Sequence, residues 1–204
     1  MTRTVGIYVY DEVEVLDFAG PFEVFSTASR VYGRQNPAAE TLFEVRLIAA
    51  RTGPVSARAG LRVKPDFTID DCPRLDLLIV PGGVHVAELD RPAVIRWIES
   101  ASLSAEITAS VCTGAFLLAK AGLLDGLAAT THWEDLADLR QSFPGVDVRE
   151  NRRWIDAGAI LTSAGISAGI DMSLHLVARL LGSDLARRTA RQMDYRWLEH
   201  PGGD

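Results

Sequence analysis

The sequence predicts an α/β fold, a doubly wound domain with a mostly parallel sheet covered on both faces by helices. Two observations carry this. Short, continuously apolar, β-branched runs recur along the chain, as strands buried on both faces require. Between them lie longer segments with helical apolar spacing, the alternation that winds a parallel sheet. A third observation locates the chemistry: residues 107–120 pass from such a run directly into an apolar helix, with Cys112 at the junction.

Residues 5–10 read as the first strand, ended by Asp11-Glu12. A helix starts at residues 15–25, where Phe18, Phe22 and Phe25 share a face and Pro21 suits a first turn. Residues 43–49 form the second strand. Residues 53–55 and 60–63 read as two short strands around a turn, a small hairpin excursion. Residues 75–83 form an apolar strand closed by Gly82-Gly83, and residues 91–100 an amphipathic helix. After the 107–120 unit, residues 122–126 end a helix and turn. A short strand follows at 128–132 and a helix at 133–143. Residues 147–161 read as strands joined at Asp156-Ala157-Gly158. Residues 167–181 and 185–198 form the last two helices, and residues 201–204 a frayed tail. Residues 1–204 therefore read as a single domain, with ligands expected at the carboxyl ends of the strands.

At 204 residues with 48% hydrophobic and 24% charged residues, the composition is that of a globular protein. The net charge of −6 gives no footprint for nucleic acid. Arg187, Arg188, Arg191 and Arg196 are not followed by a helix-turn-helix pattern, so no nucleic-acid partner is expected. No apolar run nears the roughly 20 residues of a membrane span, and the start lacks a signal-peptide pattern. A cytoplasmic protein without a membrane partner is the expectation. Cys72 and Cys112 are expected as free thiols.

Ser110 and Gly114 flank Cys112 in the manner of a nucleophile elbow. A thiol at a helix start is biased toward the thiolate, which is the nucleophile. The competing reading is a buried small hydrophobe. Cys72, beside Asp70 and Asp71, reads as a bystander. Gly82 and Gly83 allow backbone N–H groups to approach a ligand, and with the Thr113 N–H they are candidates to hold an anion. A tight turn is the plainer alternative. Asp17, among Leu16, Phe18 and Phe22, is either a helix N-cap or a buried general acid. His132 is a base, an orienting group or a structural residue. His85 is expected near the site but solvated. Asp171 and His175 read as helix surface or capping. No metal-ligand spacing and no phosphate loop are present.

Five stretches together resemble the DJ-1/PfpI (ThiJ) superfamily: residues 16–25, Val80-Pro81-Gly82-Gly83, residues 110–115, residues 129–133 and residues 162–171. The resemblance covers nearly the whole chain and points to the branch of isonitrile hydratases. That branch also includes the ligand-binding halves of AraC-type regulators. It implies a flavodoxin-like three-layer sandwich and a homodimer with sites near the interface. It further implies Cys112 as nucleophile, Asp17 as the paired carboxylate and Thr113, the threonine after the cysteine, as a third catalytic residue whose hydroxyl helps position the attacking water. Peptidase-, chaperone- and glyoxalase-like relatives carry histidine where this chain has Thr113, which argues against their chemistry. The implied activity is that of a hydro-lyase. It adds water to an isonitrile substrate through a thioimidate on Cys112, gives an N-substituted formamide, and needs no cofactor. Ile166, with Gly82, Gly83 and His132, is expected to line the substrate pocket. The alternatives are a non-catalytic small-molecule sensor, or a glyoxalase-like or redox-responsive protein in which Cys112 is oxidised.

Overall fold

The computed structural model describes residues 2–202. The chain runs β1 (Arg3–Tyr8), α1 (Val15–Gln35), β2 (Phe43–Ala49), β3 (Val55–Ser56), β4 (Arg62–Val63), β5 (Phe67–Thr68), β6 (Leu77–Val80), α2 (Val86–Leu89) and α3 (Pro92–Ser104). It continues through β7 (Ile107–Val111), α4 (Gly114–Lys120), β8 (Ala128–Ala129), α5 (Leu136–Ser142), β9 (Asp147–Val148), β10 (Trp154–Asp156), β11 (Ile160–Ser163), α6 (Ala168–Leu181) and α7 (Ser183–Gln192). The main sheet has the order β10-β11-β7-β6-β1-β2-β5. All its pairings are parallel except β10 with β11.

The continuous apolar runs become the central strands. Leu77, Leu78, Ile79 and Val80 of β6 are all buried, as are Ile107, Ala109 and Val111 of β7. Each large aliphatic side chain so removed from water contributes about 1.5–3 kcal/mol. Helices α1, α6 and α7 pack on one another and α2, α3 and α4 form a second group, which gives the three-layer α/β sandwich. Connections leave β1 first toward β2 and then cross to β6, so the sheet reverses its winding between β1 and β6. The crevice outside the strand ends at that reversal is where open α/β sheets bind ligands.

The hairpin excursion is β3 and β4, antiparallel around a 3-10 turn. Four expectations change. Pro21 lies inside α1, not in its first turn, because Glu14 caps the helix seven positions earlier and leaves the Asp17 carbonyl without its Pro21 partner. The last helix stops at Gln192, since Tyr195, Trp197 and Leu198 turn back to bond to α6 and the segment just before it. Asp171 is wholly buried, paired with Arg153, and not a surface residue. The tail is tied at Pro201 and Gly202, which pair with residues 152 and 153; residues 203 and 204 lie outside the described residues. No described helix is long and apolar enough to cross a membrane.

Candidate active site

Strand β7 delivers Cys112 to the mouth of the crevice and bends there. Cys112 has φ +54°, a left-handed conformation that L side chains adopt only at a cost of about 1–3 kcal/mol. The surroundings hold it. Its N–H donates to the Ser163 and Ala164 carbonyls at 3.1 and 3.3 Å, and its carbonyl accepts the Thr131 hydroxyl at 2.8 Å. This is the elbow geometry expected from the small residues around Cys112.

Asp17 comes from the first turn of α1. Glu14 fills the N-cap, its carboxylate accepting the Val15 N–H at 3.2 Å, so Asp17 is freed from capping and turned inward at 0% exposure. Its Oδ2 accepts the Gly82 N–H at 3.1 Å, while Oδ1 accepts no hydrogen bond. The Cys112 thiol and the Ile166 N–H lie beside the carboxyl, and both favour its ionised form. Burial overrides them and, with the Glu14 charge, raises Asp17 to about 7.

Burial also pushes the Cys112 thiol up, and the Asp17 charge adds to it; the Thr113 N–H beside the sulfur opposes both. The bias toward thiolate expected from the helix start is therefore outweighed here. Near pH 7 it is therefore the Asp17 carboxyl that gives up its proton, while the thiol beside it keeps its own and can hand it to that carboxylate. Tyr10, two residues past β1, is buried nearby: its hydroxyl donates to the Pro81 carbonyl at 3.3 Å, and burial and Asp17 hold it protonated.

Gly83 lines the cleft while Gly82 is buried beside it, and the N–H groups of both are already engaged. Gly82 donates to Asp17, and Gly83 donates to the Thr113 hydroxyl at 2.9 Å, which returns a bond to the Gly83 carbonyl at 3.0 Å. Both N–H groups expected to face an anion thus have partners within the protein, with Thr113 tethering Gly83. Glycine is required at residue 82, because a Cβ there would lie 2.5 Å from the Thr113 nitrogen and 2.8 Å from the Cys112 Cβ. The Thr113 N–H remains aimed at the sulfur.

His132 lies on the opposite wall. Its Nδ1 accepts the Glu134 N–H at 3.4 Å, with Asp135 Oδ2 also 3.4 Å away. The ring packs so closely on Gly165 that a Cβ there would approach it to 2.1 Å. Ile166 reaches the same cleft, partly exposed, at φ +54°. His85 is not fully solvated but packs at a tilt against Phe116, ring centroids 4.5 Å apart. The cleft encloses about 440 Å³ and joins Cys112, Thr113, Gly83, His132 and Ile166. His85 lines it too, and Glu14, Arg58, Val84, Val86, Glu134 and Asp135, which were not singled out from sequence, complete its wall. Arg58, carried in by the turn between β3 and β4, pairs with Glu14 at 3.4 Å. Cys72 lines a different depression, and burial with the Asp71 charge raises it to about 11. Among the described residues no cluster of His, Cys, Asp or Glu is disposed to hold a metal ion.

Such a site offers a thiol in a bent backbone and a carboxyl beside it that can give or take a proton near pH 7. It also offers a pocket that is half apolar. That combination suits addition to a neutral electrophilic carbon that must gain a proton as the sulfur attacks.

Residues 3–179 match the DJ-1/PfpI family. An isonitrile hydratase from Pseudomonas putida is 35% identical over 196 residues, 96% of this chain and 79% of its own. The HTH-type transcriptional regulator GbdR of Pseudomonas aeruginosa is 30% identical over 198 residues, covering 97% of this chain. The chain spans only about half, 52%, of that regulator. The crystal structure of a ThiJ/PfpI family protein from Pseudomonas syringae superimposes with a TM-score of 0.83 at 28% identity, covering 96% of this chain and 76% of the other.

Proposed function

This chain belongs to the DJ-1/PfpI family, and on that premise we propose that it hydrates isonitriles to N-substituted formamides, with Cys112 as nucleophile and Asp17 as its proton carrier. The observation that carries the reading is the buried Asp17 carboxyl, raised to about 7 and set against the Cys112 thiol. An isonitrile presents a terminal carbon with a lone pair. As Sγ attacks, an S–C bond forms and the S–H bond breaks. The proton passes through Asp17 Oδ1 to that carbon, giving R–N=CH–S–Cys112. Water then adds across the C=N bond, its hydroxyl to carbon and its proton to nitrogen, relayed by the same carboxyl. Collapse of R–NH–CH(OH)–S–Cys112 breaks the C–S bond and returns the proton to sulfur, releasing R–NH–CHO. The first addition builds no oxyanion, so the prior engagement of the Gly82 and Gly83 N–H groups is no obstacle. Thr113 keeps Gly83 in place, while Ile166 and Val84 receive the substituent.

A homodimer and a cytoplasmic setting belong to this reading through the family. A second reading, ligand sensing without turnover, is favoured by one observation: burial and Asp17 hold the thiol in its less nucleophilic form. A formamide-production assay over small isonitriles, with methylglyoxal as the contrasting substrate, separates them. The parent protein should form formamide and Cys112→Ala should not, with its fold intact by circular dichroism. Formamide production surviving in Cys112→Ala, or isonitrile binding without product in the parent, would reject the catalytic reading.

A further inference from the structure

Asp171 is a wholly buried carboxylate that the reaction does not use. Its Oδ2 accepts Arg153 Nε at 2.6 Å and its Oδ1 accepts the Leu198 N–H at 3.0 Å. Its own carbonyl accepts the Trp197 indole N–H at 3.3 Å. Arg153 extends the contact forward: Nη2 donates to Ser167 Oγ at 3.2 Å, and the Arg153 carbonyl accepts the Ala164 N–H at 2.8 Å. The Tyr195 hydroxyl reaches the Ser167 carbonyl at 3.4 Å. Residues 164–167 are thus held from behind at both ends. Their front side is the active site. The Ala164 carbonyl accepts the Cys112 N–H, Gly165 abuts the His132 ring, and the Ile166 N–H lies beside the Asp17 carboxyl.

We propose that Asp171 and Arg153 are positioning residues, a clamp that sets the 164–167 loop and through it the registration of Asp17 against Cys112. Burying an ion pair contributes little net stability by itself, so its retention behind a strained loop fits a placing role. The strain is at Ile166, a β-branched residue at φ +54°, which persists only where its surroundings over-determine it. Releasing the clamp lets that residue relax and withdraws the Ile166 N–H from the carboxyl. Asp17 then loses a donor that favours its ionised form. Its other neighbours stay: Glu14 on its own helix, Tyr10 from two residues past β1, and Cys112 from the elbow.

The inference leans on the proposed pairing of Asp17 with Cys112, but its test does not need an isonitrile. Alkylation of Cys112 by iodoacetamide is followed across pH 5–9 by peptide mass spectrometry, with Cys72 as internal reference. Asp171→Asn keeps the shape and an acceptor for Leu198; Arg153→Met removes the cation; Ser167→Ala, on an exposed residue, removes one contact only and leaves the core untouched. In the parent, alkylation should rise through about pH 7, as Asp17 ionises and its carboxylate becomes able to take the thiol's proton. The first two variants should move that midpoint up by a fraction of a pH unit, as the Ile166 N–H that favours the ionised carboxyl withdraws. Ser167→Ala should move it less, in the same direction. Backbone amides 164–167 should exchange hydrogen faster in all three. Unchanged midpoints in the variants that fold, Ser167→Ala included, would overturn the clamp even if their melting points fall. Loss of formamide production with an unshifted midpoint would likewise reject it. A shifted midpoint in a protein that hydrates no isonitrile leaves the clamp standing and rejects only the proposed reaction.

Discussion

Asp17 titrates at about 7 when folded, against 3.8 ordinarily, so the folded chain binds its proton more tightly than the unfolded chain does. Its burial is therefore harmless below pH 4 and weighs increasingly against folding as pH rises through 7. Asp17→Asn carries no charge at any pH. It should melt several degrees above the parent at pH 8, with the difference fading toward pH 4. At the same time its turnover should fall by about 10²–10⁴, the usual contribution of a positioned acid or base. Thermal melts at the two pH values together with the formamide assay check both. Equal melting points at pH 8 would mean that Asp17 is not paying a burial penalty. Asp17 and Cys112 were legible in the sequence because each is a local anomaly: an acid among phenylalanines, and a cysteine between small residues at a strand end. Glu14, Tyr10 and Arg58 were not. Arg58 meets Glu14 across 44 positions, through a hairpin whose direction no local pattern records. For the same reason the occupation of the Gly82 and Gly83 N–H groups could not be read, since their partners Asp17 and Thr113 arrive from other elements.

At the scale of elements, the start of α1 does two things at once. Glu14 caps the helix and its charge lifts Asp17. Glu14→Gln retains a capping oxygen and removes the charge. The rise of Cys112 alkylation with pH should then shift to lower pH, by a fraction of a unit, while the melting point at pH 7 stays within a degree or two. A shift upward would mean that the Arg58 contact, and not the Glu14 charge, dominates at the cleft. Most elements were legible because β6, β7 and the second half of β1 bury both faces and so print as short, largely apolar runs, while β2 keeps apolar residues at both ends. The exceptions are instructive. β5 is two residues, Phe67 and Thr68, too short for any period to register. α7 ends early because the apolar residues after Gln192 are recruited to α6 rather than to a continuing helix face. Pro21 signalled a helix start by its own preference, yet the cap is Glu14.

At the scale of the molecule, the sandwich and the place of its site followed from the alternation of strands and helices. What surrounds the molecule did not. Leu16 and Phe22 on α1 and Ile166 in the loop against it leave apolar side chains uncovered near the cleft. With the family resemblance, they lead us to expect association of two chains. Sedimentation equilibrium should return twice the 22.2 kDa of one chain, and Leu16→Asp should return one. A parent protein that sediments as a single chain would dispose of the dimer.

The returning C-terminal segment has one more consequence. A sheet with open margins offers unpaired N–H and C=O groups to any passing strand, the first step of aggregation. One margin here is β5, two residues long, which presents too little backbone to recruit a neighbour. At the other margin, beside β10, the Pro201 carbonyl takes the Arg153 N–H at 2.8 Å and Gly202 bridges to Arg152. The segment that lies behind the 164–167 loop is thus also a selvedge, the woven border that keeps the sheet from fraying into another molecule's.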